Sequence, residues 1–293
     1  MSPAWTIAVA LVLAVLALPL VAVLGLALTP KDNIWPHLAR NVLPGTLWTT
    51  FQLLAGVAVL TAVIGAGTAW LVTMYRFPGR DMTSWLLLLP LAMPGYIIAL
   101  CASELMDFAG PLQSGLRAAF GWTSARDYWF PEIRSLPGAI VLISLVLYPY
   151  VYLTARASFL QQSACALEVA RTLGRSPWGV FWEVGLPLAR PALAAGVTLA
   201  LMETLNDIGA VQHLGVRTLT VAIYDTWLQR GNLGGAAQIA TVMLVCVLLL
   251  LMAERMARGR GTYHQSTGQY RAIPFAKLRG PKEIGRASCR ERV

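Results

Sequence analysis

Lysine is nearly missing from this chain, at positions 31, 277 and 282 only, and no Gly-Lys pair occurs. That excludes a phosphate-binding P-loop, whose lysine directly follows a glycine. Any ATP that powers this protein is therefore hydrolysed on another subunit. Charge of either sign is scarce, at 13% of 293 residues against 57% hydrophobic, where a soluble domain carries roughly a quarter charged residues. A water-soluble enzyme does not fit these proportions. Cysteine is sparse as well. Cys101, Cys165 and Cys246 stand singly in apolar or helical contexts and Cys289 lies in the tail, so neither a disulfide frame nor a paired zinc site is expected. His37, His213 and His264 lie far apart without a ligand partner at helical spacing, and no metal centre is expected. With no G-x-S-x-G, no H-E-x-x-H and no cofactor fingerprint, no catalytic residues and no cofactor are expected.

What the chain has instead is long apolar runs. A helix needs about 20 mostly apolar residues to cross the hydrocarbon core, and six such stretches are placed at about 7–28, 47–75, 84–101, 139–153, 192–209 and 236–253. The expected fold is an all-α membrane protein, with residues 1–258 as one six-span module. The first run lacks a preceding basic residue and is too long for a signal-peptide core, so it reads as an uncleaved span. Pro90 and Pro94 in the third run, and Pro149 in the fourth, predict kinks. The net charge of +9 comes mainly from arginines near span ends, pointing to a membrane surface and not to nucleic acid. With the N-terminus in the cytoplasm, nine basic residues near span ends fall inside and seven outside, the sign the positive-inside rule requires.

Several polar features need a reading. Glu203, Asn206 and Asp207 fall at i, i+3 and i+4 near the outer end of the fifth run, so they share one helical face. Charged groups in a bilayer are expensive and commonly functional. They are read either as lining a pathway or gate, or as helix packing and contact with an external loop. Tyr148, Tyr150 and Tyr152 read as an aromatic belt at the cytoplasmic end of the fourth span. Gly65 and Gly67, with Ala66 and Ala69, form a small-residue face suited to close helix packing. Residues 104–137 carry interfacial aromatics and prolines, among them Trp122, Tyr128, Trp129 and Pro131; they read as a short interfacial helix or an anchored loop.

One inter-span segment, residues 163–190, carries the strongest signal. Ala166, Val169, Ala170 and Leu173 share a helical face, Gly174 stands where a C-cap glycine would, and Ser176-Pro177 reads as the cap and first residue of a second short helix. Leu186-Pro187 is expected to end that helix before the fifth span. The pattern Glu168-x-Ala170-x3-Gly174-x9-Val184-x-Leu186-Pro187 resembles the EAA loop of permease subunits in binding-protein-dependent ABC importers. Val169 and Val184 depart from the family's usual alanine and isoleucine while keeping the face apolar. The resemblance implies a six-helix permease module whose cytoplasmic coupling loop docks on a dimer of ATP-binding subunits. Glu168, Ala170, Gly174, Val184, Leu186 and Pro187 are its coupling residues. It also implies an extracytoplasmic solute-binding protein, a second permease module, the bacterial inner membrane as location and ATP hydrolysis on a separate subunit.

Residues 202–240 and the segment YHQSTGQYRAIPFAKLRG at 263–280 resemble ferric-iron permeases of this superfamily. There a comparable basic segment joins two homologous halves, so 259–282 reads as a linker to a second module. Related permeases for thiamine, polyamines and sulfate share the scaffold, and an ion-coupled secondary carrier is the alternative outside the family. The last eleven residues, EIGRASCRERV from 283 to 293, resemble a translated sequencing adapter; the natural chain is expected to continue past Lys282.

Overall fold

The computed structural model describes residues 3–162, 176–258 and 276–277. Helix α1, Pro3–Leu28, is apolar on every side and exposed along almost its whole length. Such a helix is long and apolar enough to span a membrane. It meets the bundle along its C-terminal end, where Gln238 Nε2 donates to the Ala27 carbonyl at 3.3 Å.

Helix α2 runs from Trp35 to Met74, starting well before the expected 47. A π turn at Leu38–Val42 lies within it. The cause is Pro44, which has no amide to donate and whose ring presses on the carbonyl four residues back, at Arg40. A wider turn lets the helix pass that point without stopping. Tyr75–Arg76 follows as a two-residue strand paired in parallel with Ala276–Lys277.

Where a third span is expected at 84–101, the chain is broken. Helix α3, Arg80–Leu86, leads into a 3-10 turn at Leu89–Ala92, and α4, Gly95–Met106, begins after Pro94 as its N-cap. The segments Arg80–Ala92 and Gly95–Phe120 meet at 94°. Two prolines four residues apart each remove an amide donor, which exceeds what a kink absorbs. Helix α5, Pro111–Phe120, sits in the expected external loop. Its Arg117 guanidinium lies 4.0 Å from the Phe108 ring centroid and donates to Tyr128 Oη at 3.0 Å.

Helix α6, Leu136–Gln161, is the centre of the bundle, packed between α2 and α7, Trp178–Asn206. Gly65 of α2 and Gly196 of α7 both face Val151 of α6 so closely that neither position has room for a Cβ. Small residues let helix backbones approach where lipid offers no hydrophobic drive. Gly67, by contrast, faces open space. Because α6 extends to Gln161, the three tyrosines lie inside the bundle and not at an aromatic belt: Tyr148 and Tyr152 are buried, and Tyr152 Oη donates to the Ser84 carbonyl at 3.2 Å. Short helices α8, Gly209–His213, and α9, Leu219–Tyr224, lead to α10, Leu233–Arg258.

Candidate functional site

The break in the third membrane element opens a cleft of about 280 Å³ in the bundle. Its walls are the 3-10 turn and the bend at Met93, Pro94 and Gly95, the α6 side chains Leu142, Val146 and Tyr150, and the end of α7 with Glu203 and Asp207. Pro94 and Gly95 bring backbone to the cleft because a proline cap supplies no amide and a glycine adds no side chain. Space at Gly95 is limiting: a Cβ there would sit 2.9 Å from Asp207 Oδ2.

Asp207 stands between two elements. Its Oδ1 accepts from the Ala210 amide at 2.9 Å, tying the end of α7 to α8, while Oδ2 faces Gly95 at the start of α4. A helix N-terminus favours an adjacent negative charge. Glu203, one turn earlier on α7, is exposed to the cleft, and its carboxylate has no hydrogen-bond partner among the described residues. Asn206 is exposed and stands outside the cleft lining. Of the three residues expected on one face, the structure brings two to the cleft. Tyr150 joins them from α6, a contact no local pattern announces. No lysine, arginine or histidine is among the residues lining it, and among the described residues no three His, Cys, Asp or Glu side chains gather as a metal cluster.

The second region of interest is the start of α7. Glu168, Ala170 and Gly174 lie outside the described residues. Ser176 Oγ accepts from the Gly179 amide at 3.2 Å, a cap on the helix that begins at Pro177. Leu186-Pro187 does not end that helix, contrary to expectation. A π turn at Phe181–Gly185 carries it onward into Leu186–Asn206. The arrangement repeats the one at Pro44: Glu183, four residues before Pro187, sits inside the widened turn. Val184 is half-buried, while Trp178 and Trp182 are exposed.

Behind this turn is an aromatic cluster. Trp70 of α2 meets Phe159 edge-on at 5.2 Å and Phe181 at 5.1 Å between ring centroids. Gly185 lies flat against the same indole, with a Cβ position only 2.5 Å from Trp70 Cζ3. Gln162, just past α6, donates from Nε2 to the Gly185 carbonyl at 3.0 Å. These partners are far apart in the chain, and the only sequence trace of them is the glycine itself.

A chain of kinked apolar helices around a carboxylate-lined cleft can be compared with known proteins. Residues 62–260 match the family described as binding-protein-dependent transport system inner membrane component. The chain belongs to that family. As an inner membrane component it is 26% identical over 223 residues to the Fe(3+)-transport system permease protein FbpB 2 of Haemophilus influenzae, covering 76% of this chain and 39% of that one. It thus spans well under half the length of that relative. It is also 28% identical over 253 residues to the sulfate transport system permease protein CysT of Escherichia coli, covering 84% of this chain and 88% of that one. Among solved structures, one chain of a bacterial alginate ABC transporter, in complex with an alginate pentasaccharide-bound periplasmic protein, superimposes with TM-score 0.68. It shares 14% identity and covers 88% of this chain and 96% of that one. At that identity the likeness is one of fold.

Proposed function

We propose that this chain is the membrane-spanning permease of an ATP-driven importer for a cationic solute, with ferric iron the first candidate. The observation that carries the reading is the cleft: its ionisable lining is Glu203, Asp207 and Tyr150, without a basic side chain. Two like unit charges 4 Å apart near a protein surface repel by about 4 kcal/mol, so a sulfate-like oxyanion is repelled where a cation is attracted. Glu203, whose carboxylate is unpartnered among the described residues, is the group free to meet the solute; Asp207 ties the end of α7 to α8. A permease must release its cargo, so two carboxylates that attract without enclosing a metal suit passage better than storage. Thiamine and polyamines are also cationic and are served by the same lining.

In this reading the N-terminus is cytoplasmic, a separate solute-binding protein delivers cargo from outside, and a second six-span module completes the pathway. A dimer of ATP-binding subunits docks on the coupling loops of the two modules, in this chain residues 163–190, with Glu168, Ala170, Gly174, Val184, Leu186 and Pro187 at the contact. Their closure rocks the spans between inward and outward access. The test is uptake of radiolabelled ferric iron and radiolabelled sulfate by cells that depend on this transporter. Glu203→Gln is expected to cut iron uptake by about tenfold, the effect of losing roughly 1.4 kcal/mol, with the amount of permease in the membrane unchanged. Sulfate uptake that depends on this chain and ignores Glu203→Gln overturns the cationic assignment.

A further inference from the structure

The start of α7 is held by a contact that neither the coupling pattern nor the cleft explains. Gln162 is the first residue past α6 and is 7% exposed. Its side-chain amide donates to the carbonyl of Gly185, the last residue of the π turn, 23 residues further along the chain. Gly185 in turn lies against the Trp70 ring, and Phe159 and Phe181 flank that ring. The two ends of the inter-span segment are therefore tied to each other and to α2 through one amide and one indole. The end of α6 thus meets the start of α7 through this amide as well as through the Phe159, Trp70 and Phe181 rings.

We propose that Gln162 is a positioning residue of the transport cycle: its amide locks the base of the coupling loop, so that force applied to the loop turns α7 and, through Trp70, α2. The proposal rests on reading residues 163–190 as that loop. The Gln162 amide sits on a π turn, a helical element that holds one residue more than an α turn and that recurs at functional positions. A tether there keeps the extra residue in place while the helix is pushed. Gln162 also buries its Oε1 without a hydrogen-bond partner among the described residues. A buried polar group left unpaired is a cost to folding. The side chain is thus poorly chosen for stability alone and well placed for transmission.

The experiment uses the complete transporter in proteoliposomes, with radiolabelled ferric iron on its binding protein, and reads uptake and ATP hydrolysis in the same vesicles. Gln162→Leu removes both the donor and the unpaired oxygen, so assembly is expected to survive. Gln162→Glu keeps the shape and replaces the donor with an acceptor. In both variants ATP hydrolysis is expected to hold within about twofold while uptake falls by about fivefold or more, the low end of energetic coupling between sites. An unchanged ratio of uptake to hydrolysis in both variants overturns the proposal. So does loss of assembly in both, which would make the amide a fold contact. Solute-independent hydrolysis already in the unmodified transporter removes the coupling-loop reading itself, and this proposal with it.

Discussion

Gly65→Ala should destabilise the bundle even though it improves the helix that carries it. A Cβ on Gly65 lies 2.6 Å from Val151 Cβ and 2.9 Å from the Tyr152 backbone nitrogen. Ordinary carbon contacts are about 3.5–4.0 Å, so α2 and α6 must part by about 1 Å along their closest approach. Overpacking of this kind costs about 1–3 kcal/mol, and replacing a mid-helix glycine by alanine returns at most about 1 kcal/mol. With the full return, the net loss reaches about 2 kcal/mol, which lowers the folded-to-unfolded ratio by up to about thirtyfold. Denaturant titration of the detergent-solubilised protein, followed by helical circular dichroism, reads this as a lowered midpoint. The obstructing atoms are Val151 Cβ, Val151 Cγ1 and the Tyr152 backbone nitrogen, so Val151→Ala, which removes only Cγ1 of these, should rescue the variant slightly, and Val151→Gly should rescue it further but in part. Gly67→Ala, facing open space, is the control and should hold or raise the midpoint. A Gly65→Ala midpoint at or above the unmodified protein, or full rescue by Val151→Ala, would refute the helix-crossing argument.

Two further predictions follow from other contacts. Gly185→Ala places a Cβ 2.5 Å from the Trp70 ring; here the obstacle is a side chain, so Trp70→Leu should restore the midpoint that Gly185→Ala lowers, and failure of that rescue would count against the contact. In the external loop the Asp127 carboxylate accepts from the amides of Ser124 at 2.8 Å and Thr123 at 2.9 Å. These bonds, Ser124 first, hold its carboxyl below the ordinary range. A depressed carboxylate contributes order above the ordinary value of about 3.9 and loses it as pH falls through the lower folded value. Tryptophan fluorescence from Trp122 and Trp129 should report that acid transition in the native chain and not in Asp127→Asn; identical titrations would remove Asp127 as the cause.

The long apolar runs were legible because a bilayer accepts few other spanning elements, and they led to the all-helical class without tertiary information. The face shared by Glu203 and Asp207 was legible for a similar reason, since helical spacing alone aligns i and i+4. Proline positions were visible, but their consequences were not. Pro90 and Pro94 made a 94° break where a kink was expected. Pro187 produced a π turn where a helix end was expected, because Trp70 and Gln162 hold the turn from outside the local chain. Tyr150 lies in the cleft and not at a belt because α6 extends further than its apolar run. The chain's local chemistry dictated what must be helical and where polar groups would share a face. The approach of Asp207 to Gly95, of Tyr150 to Glu203 across the cleft, and of Gln162 to Gly185 was decided by how helices remote in the chain pack together. No local spacing encodes that, since each contact depends on the volume and backbone of its neighbour.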